Sequence, residues 1–176
     1  MLALTVPAAN AQSPLAIFSD SFVNGFDDWS WAAHSNVNTN PVHSGSYSMS
    51  VSAAAWEGVS FHHANFNVSD YTNFTFWAHG GTAGGQRLQV YGELNGVPQP
   101  AYTLPSALTA GVWQKFSVSL ATLGLANKPN LSRLNLQLRN DGTTGTYFLD
   151  DVELSPIPFP ALVQVSLNTT QAVRTV

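Results

Sequence analysis

The chain has 176 residues, of which 9% are charged, with six Lys and Arg against ten Asp and Glu and a net charge of −4. Such a chain offers no basic surface to nucleic acid or to anionic lipid, and the partner it suits is neutral. Cysteine is absent, so no disulfide framework holds the fold, and the length serves one domain plus tails.

Residues 1–13 hold a short apolar run ending in Ala9-Asn10-Ala11, the small-x-small pattern that signal peptidase reads, without a basic region before it. The expectation is a signal-peptide remnant or a disordered tail, and a secreted, extracellular protein. No later apolar run approaches the roughly 18 residues of a membrane span, so no membrane partner is expected.

From Leu15 on, short alternating segments are separated by clusters of Gly, Asn, Pro and Ser. The period predicts strands at 15–22, 29–34, 46–53, 55–63, 72–79, 87–94, 112–120, 131–139 and 146–154. Turns are expected at Asn24-Gly25, Gly80-Gly81, Gly84-Gly85, Asn95-Gly96 and Asp141-Gly142, where Gly and Asn tolerate positive φ. Thr122 to Ala126 reads as a single helical turn. The fold class that follows is all-β, a two-sheet antiparallel β-sandwich of jelly-roll type over 15–155. Ser155-Pro-Ile-Pro-Phe-Pro160 then opens a Pro-rich linker, and 156–176 reads as that linker and the start of a truncated following module. Four Asn-x-Ser/Thr sequons, beginning at Asn67, Asn73, Asn130 and Asn168, are what chance gives a chain this rich in Asn and Ser.

Side chains alternate across a strand, which sorts them into two sets. In 87–94, Leu88, Val90 and Leu94 face the core, and Arg87, Gln89, Tyr91 and Glu93 face out. In 72–79, Phe74, Phe76 and Ala78 face in, leaving Thr75, Trp77 and His79. In 55–63, Val59 and Phe61 face in, leaving Trp56, Ser60 and His62. In 131–139, Leu134, Leu136 and Leu138 face in, leaving Arg133, Asn135, Gln137 and Arg139. Strand 112–120 turns Phe116 and Val118 inward. Pyranose C–H groups lie flat on aromatic faces, and equatorial hydroxyls pair with planar amides and guanidinium groups. The candidate sugar-binding set is therefore Trp56, His62, Trp77, His79, Arg87, Gln89, Tyr91, Gln137 and Arg139. Sequence alone does not say that these strands share one sheet. Trp113 reads as a rim residue under a loop. Trp29 and Trp31 share a face of their strand and stay open between core, loop anchor and cleft.

Two carboxylates sit among apolar neighbours, Asp20 with Phe18 and Phe22, and Asp150 with Phe148, Val152 and Leu154. Both are expected to point inward, where an unpaired carboxylate needs a cation or strong donors. A structural Ca²⁺, which takes roughly six to eight oxygen ligands, fits the expectation, with Asp20, Asp150 and the turn from His43 through Ser46 around it. The alternative is that the two aspartates cap loops, or that Asp150 accepts backbone amides.

Phe18-Ser-Asp-Ser-Phe22 with Gly25-Phe26-Asp27-Asp28-Trp29, His43-Ser-Gly-Ser-Tyr-Ser-Met-Ser-Val51, Trp113-Gln-Lys-Phe-Ser-Val118 and Tyr147-Phe-Leu-Asp-Asp-Val-Glu-Leu154 together resemble the carbohydrate-binding modules of the galactose-binding-like jelly-roll superfamily. The resemblance covers about residues 15 to 155. It implies a module appended to a secreted microbial glycoside hydrolase, with a structural calcium carried over to Asp20, the turn from His43 to Ser46, and Asp150, or Asp151 in its place. It also implies a cleft for β-glucan or xylan lined by aromatics. The expected function is non-catalytic binding of plant cell-wall β-glucan (cellulose, xyloglucan or mixed-linkage glucan) by a monomer covalently linked to a catalytic module.

An enzyme of this class would need two carboxylates roughly 5 to 9.5 Å apart across a groove. Glu93, Glu57 and Asp70 have no evident partner, no Gly-x-Ser-x-Gly elbow occurs, and His62-His63 are adjacent and so point to opposite faces of a strand. No enzyme activity is expected. A structural or adhesion sandwich is the other alternative, since a fold does not fix a function.

Overall fold

The computed structural model describes residues 12–158. The export signal expected over 1–13 and the following module expected over 156–176 lie, apart from residues 12–13 and 156–158, outside the described residues. In chain order the strands are β1 (Leu15–Phe18), β2 (Asp27–Asp28), β3 (Ala33–Asn38), β4 (Ser48–Ala53), β5 (Gly58–Phe66), β6 (Tyr71–His79), β7 (Leu88–Leu94), β8 (Val97–Pro98), β9 (Tyr102–Thr103), β10 (Trp113–Ser119), β11 (Leu131–Leu138) and β12 (Gly145–Pro156). The first sheet has the order β10-β6-β12-β4-β3, with β1 also on β12. The second has the order β2-β5-β11-β7-β8, with β9 also on β7. Pairing is antiparallel throughout. The chain is thus the all-β two-sheet sandwich expected. Among the described residues no helix is long and apolar enough to cross a membrane.

The alternation read from the sequence builds the core. Phe74, Phe76, Ala78, Met49, Val51 and Leu149 come from the first sheet, and Val59, Phe61, Leu88, Val90, Leu134, Leu136 and Leu138 from the second; all are fully buried. Phe61 and Phe74 meet across the sandwich with ring centroids 6.2 Å apart. Each of these Phe, Leu, Val and Met side chains contributes about 1.5–3 kcal/mol by leaving water, which is where a chain without disulfides finds its stability. Gly92 faces the same core, and Leu125 fills the place a Cβ would occupy.

Turn chemistry holds at two Asn-Gly pairs. Asn95 and Gly96 have φ of 50° and 76°, so Leu94 pairs with Val97 through a two-residue loop whose twist matches the strands. Asn24 and Gly25 adopt φ of 55° and 81°. Between Thr122 and Ala126 the chain makes one turn, with Gly124 N–H donating to the Ala121 carbonyl at 3.1 Å, rather than a helix.

Three differences from the sequence reading matter for the site. The strand expected at 29–34 starts at Ala33; before it, Trp29 N–H donates to Ser60 O and Trp31 and Ala32 N–H to Gly58 O, so residues 27–32 edge the second sheet before β3 crosses to the first. The first strand ends at Phe18, so Asp20 lies in the following bend, partly exposed, and not in the core. In β12 the inward residues are Tyr147, Leu149, Val152 and Leu154. Asp151 has φ of 46° and the register slips between Asp150 and Glu153, so one extra residue reverses the alternation. Phe148 and Asp150 therefore point away from the core between the sheets, not into it as expected, and the His43 turn covers Asp150 so that it is still fully buried.

Candidate functional site

The outer face of the second sheet collects most of the predicted sugar-binding residues. Three rows cross it. Gln137 of β11 stands opposite Gln89 of β7, Asn135 opposite Tyr91, and Arg133 opposite Glu93. On its other side β11 sets Gln137 against Gly58, Asn135 against Ser60 and Arg133 against His62.

The first row is one hydrogen-bonded line. Gln137 Nε2 donates to the Trp56 carbonyl at 2.8 Å, Gln89 Nε2 to Gln137 Oε1 at 2.6 Å, and Arg139 Nη1 to Gln89 Oε1 at 3.4 Å and Thr103 Oγ1 at 3.1 Å. Asp141 anchors the far end by accepting from Arg139 Nε at 2.9 Å, with Arg87 Nη1 3.5 Å away. Its carboxyl is held below the usual range, first by the bond from Arg139. Trp31 Nε1 also donates to the Trp56 carbonyl, at 2.8 Å. Trp56 has φ of 69°, a conformation costing a bulky L residue about 1–3 kcal/mol and found where a site holds it in place. The ring it presents is 47% exposed.

At the opposite end Trp29 lies flat on His62, with centroids 3.8 Å apart, and the Arg133 guanidinium is 4.6 Å from the same ring's centre. Asp27 ties the group together, accepting from His62 Nδ1 at 2.5 Å and from Trp29 Nε1 at 3.2 Å. Trp29 and Trp31 are 49% and 41% exposed. Three indoles thus stand along the β5 side of a polar floor.

In the same row, Glu93 is almost buried, 3.5 Å from Arg133 and accepting from Asn135 Nδ2 of the middle row at 3.3 Å. Burial, and then the charge of Glu93, raise the Tyr91 hydroxyl above its ordinary pKa against the pull of Arg133, so the phenol stays a neutral donor. Ser60 Oγ and Asn135 Oδ1 are buried without a hydrogen-bond partner, a state that buried polar groups rarely keep unless water or a ligand reaches them.

Trp77 and His79 are a correction. They belong to β6, so they stand on the outer face of the other sheet. His43 stacks on Trp77 at 3.8 Å and Trp113 edges the same histidine at 5.6 Å, so a loop covers the ring the sequence offered to a sugar. Trp56, His62, Arg87, Gln89, Tyr91, Gln137 and Arg139 remain together. Arg133, Glu93 and Asn135, outward by the alternation of their strands, complete this face, and Trp29 and Trp31 join it from a segment that edges one sheet before crossing to the other and so has no clear inner face in the sequence.

The calcium set is built as a clamp on one turn. Asp150 Oδ2 accepts from the backbone N–H of His43 at 2.9 Å and Ser44 at 3.2 Å, and its Oδ1 from Asp151 N–H at 2.8 Å. Asp20 Oδ1 accepts from Ser46 N–H at 2.6 Å and Tyr47 N–H at 2.7 Å, and these bonds, Tyr47's first, hold its carboxyl below the usual range. Asp151 takes the His43 ring and the Ser44 hydroxyl. Gly45 lets the turn close, since φ is 67° and a Cβ would strike Asp20 Oδ1. Amide hydrogens, not carbonyl oxygens, face both carboxylates, and among the described residues no three His, Asp or Glu side chains gather as metal ligands. The donor set does not fit a shared hard cation.

No family model matches the sequence, and no curated protein is similar to it. Solved structures are similar in fold. The family 11 carbohydrate-binding module of the cellulosomal cellulase Lic26A-Cel5E of Clostridium thermocellum superimposes with a TM-score of 0.61 at 12% identity, over 84% of this chain and 97% of that one. A family 29 carbohydrate-binding module gives 0.55 at 11% identity over 81% and 87%, and a family 29 variant complexed with mannohexaose gives 0.54 at 11% over 81% and 90%. The chain therefore has the β-sandwich fold of the family 11 and family 29 carbohydrate-binding modules.

Proposed function

We propose that the protein is a non-catalytic carbohydrate-binding module, and that the outer face of the second sheet holds plant cell-wall polysaccharide of the β-glucan type. The observation that carries this is the pairing of three exposed indoles, Trp29, Trp31 and Trp56, with the line of amide and guanidinium groups from Gln137 to Arg139. Indoles take the C–H faces of sugar rings, and the amides take their hydroxyls. Planar donors alternating with acceptors suit single soluble chains better than a crystalline surface. The fold shared with modules that include one complexed with mannohexaose supports a polysaccharide partner.

A hydrolytic reading has less support. Each carboxylate on this face has a cationic or imidazole partner: Glu93 has Arg133, Asp27 has His62, and Asp141 has Arg139. Asp27 and Glu93 stand at the two ends of a row of four strands, about 14 Å apart at ~4.8 Å per strand. That exceeds the roughly 5 to 9.5 Å a glycosidase pair needs. Secretion, a monomeric state and a covalently linked glycoside hydrolase belong to the same proposal and rest on the sequence alone.

Affinity electrophoresis against xyloglucan, mixed-linkage β-glucan, xylan, galactomannan and pectin, with a cellulose pull-down, tests the reading. Retardation by a β-glucan that Trp56→Ala and Gln137→Ala abolish and Trp77→Ala leaves intact is the expected result. Retardation by galactomannan alone would replace the glucan with a mannan, and none with any glycan would overturn the binding function.

A further inference from the structure

The first sheet carries a pocket of its own, of ≈ 940 Å³, at the end where β6 stops and β12 begins. That lies within the roughly 300–1,000 Å³ of small-ligand sites. Its floor is a cross-strand pair, His79 opposite Phe148, with rings 5.7 Å apart at 71°, and Trp113 beside His79 at 5.2 Å. Loops make its sides, through Asn40-Pro41, Gly81-Thr82-Ala83 and Ala110-Gly111.

The chemistry of the lining is selective. No Asp, Glu, Lys or Arg contributes to it, so neither an anion nor a cation finds a counter-charge. His79 Nδ1 accepts from Gly81 N–H at 3.0 Å, which puts the ring proton on Nε2, toward the Gly111 carbonyl. Burial holds this imidazole below its ordinary pKa, against the Gly111 carbonyl, so it stays neutral. Thr146 adds a hydroxyl already shared with Ser52 at 2.8 Å. Apolar ring edges, Asn40, the threonines Thr82 and Thr146, and glycine backbone describe a surface for a polyhydroxylated, uncharged ligand.

We infer that this pocket is a second carbohydrate site, on the sheet opposite the first, and that it takes a short neutral oligosaccharide or a chain end. Three loops bound it, in contrast to the open strand face of the second sheet. The two sites share no residue, so one protein engages two points of a polysaccharide or two chains, and avidity follows from that geometry.

The test is a ¹⁵N-HSQC titration of the full chain with cellotetraose, mannotetraose and xylotetraose. In addition to shifts at Gln89, Tyr91 and Gln137, a second saturating set is expected at Gly81, Thr82, Gly111 and Thr146. Ala83 is exposed, so Ala83→Trp fills the pocket without touching the core, and weakens the second set about tenfold or more while the first set is unchanged. The first set also reports that the variant is folded. No second set with any of the three sugars, or a second set that survives Ala83→Trp, overturns the second site and leaves the first as it stands.

Discussion

Trp29 rests on His62 with planes 9° from parallel, so its indole is laid out as a shelf above two cross-strand neighbours, His62 and Arg133. A loop residue gains a fixed orientation from strand residues beneath it. His62→Ala removes that support, and affinity for the bound glycan is expected to fall about 3–10-fold, the effect of one aromatic pair. His62→Phe keeps a flat partner and restores affinity. Isothermal titration of the two variants checks this; equal losses in both would mean that His62 acts through its nitrogen and not through stacking.

Trp56 separates binding from stability. Trp56→Gly removes the ring but relieves a φ of 69°, whereas Trp56→Ala removes the ring and keeps the strain. Both variants are expected to lose glycan retardation, with the glycine variant about 1 kcal/mol more stable than the alanine one in urea unfolding.

Trp77 is expected to do the reverse. Its ring supports the His43 loop, so Trp77→Ala lowers stability by about 1–3 kcal/mol and leaves polysaccharide binding unchanged. Loss of binding with an unchanged melting temperature would return Trp77 to the sugar site.

Asp28 and His34 set a pH window. Although burial pushes the Asp28 carboxyl up, hydrogen bonds from Ser30, Asn36 and His34 bring it from 3.8 down to about 2. Screened by solvent at a partly exposed site, that contribution is on the order of 1 kcal/mol, present above pH ~4 and lost as pH falls toward 2. Burial lowers His34, but the Ala32 carbonyl and Asp28 raise it above 6.5, so its contribution is full below that value and lost as pH rises through the folded pKa. Between about pH 4 and 6.5 both operate. Asp28→Asn is expected to flatten both limbs of the stability profile measured by thermal melts.

The clamp on the His43–Tyr47 turn is expected to hold without a cation. Chelation with EDTA is expected to leave the melting temperature unchanged, whereas Asp150→Ala, which frees three backbone N–H groups, lowers it. A melting temperature that rises with added Ca²⁺ would restore the ion to this junction.

The sequence by itself determined that the chain is all-β and, in β5, β6, β7, β10 and β11, which apolar side chains face the core. Period-two alternation, β-branched and aromatic residues and Asn-Gly turns are local properties, so Leu88 and Val90 against Gln89 and Tyr91 could be sorted without any neighbour. Even Trp29 and Trp31 sharing a face was legible. Tertiary structure alone decided which strands lie side by side, since pairing joins segments far apart in the chain and period two carries no address. That is why Trp77 left the predicted site while Trp29, Trp31, Arg133, Glu93 and Asn135 entered it. It also decided Asp150: one positive-φ residue at Asp151 reversed the alternation of β12 and set the carboxylate against the backbone amides of His43, Ser44 and Asp151. A bulge is a compromise between two strands, and neither strand's sequence states it alone.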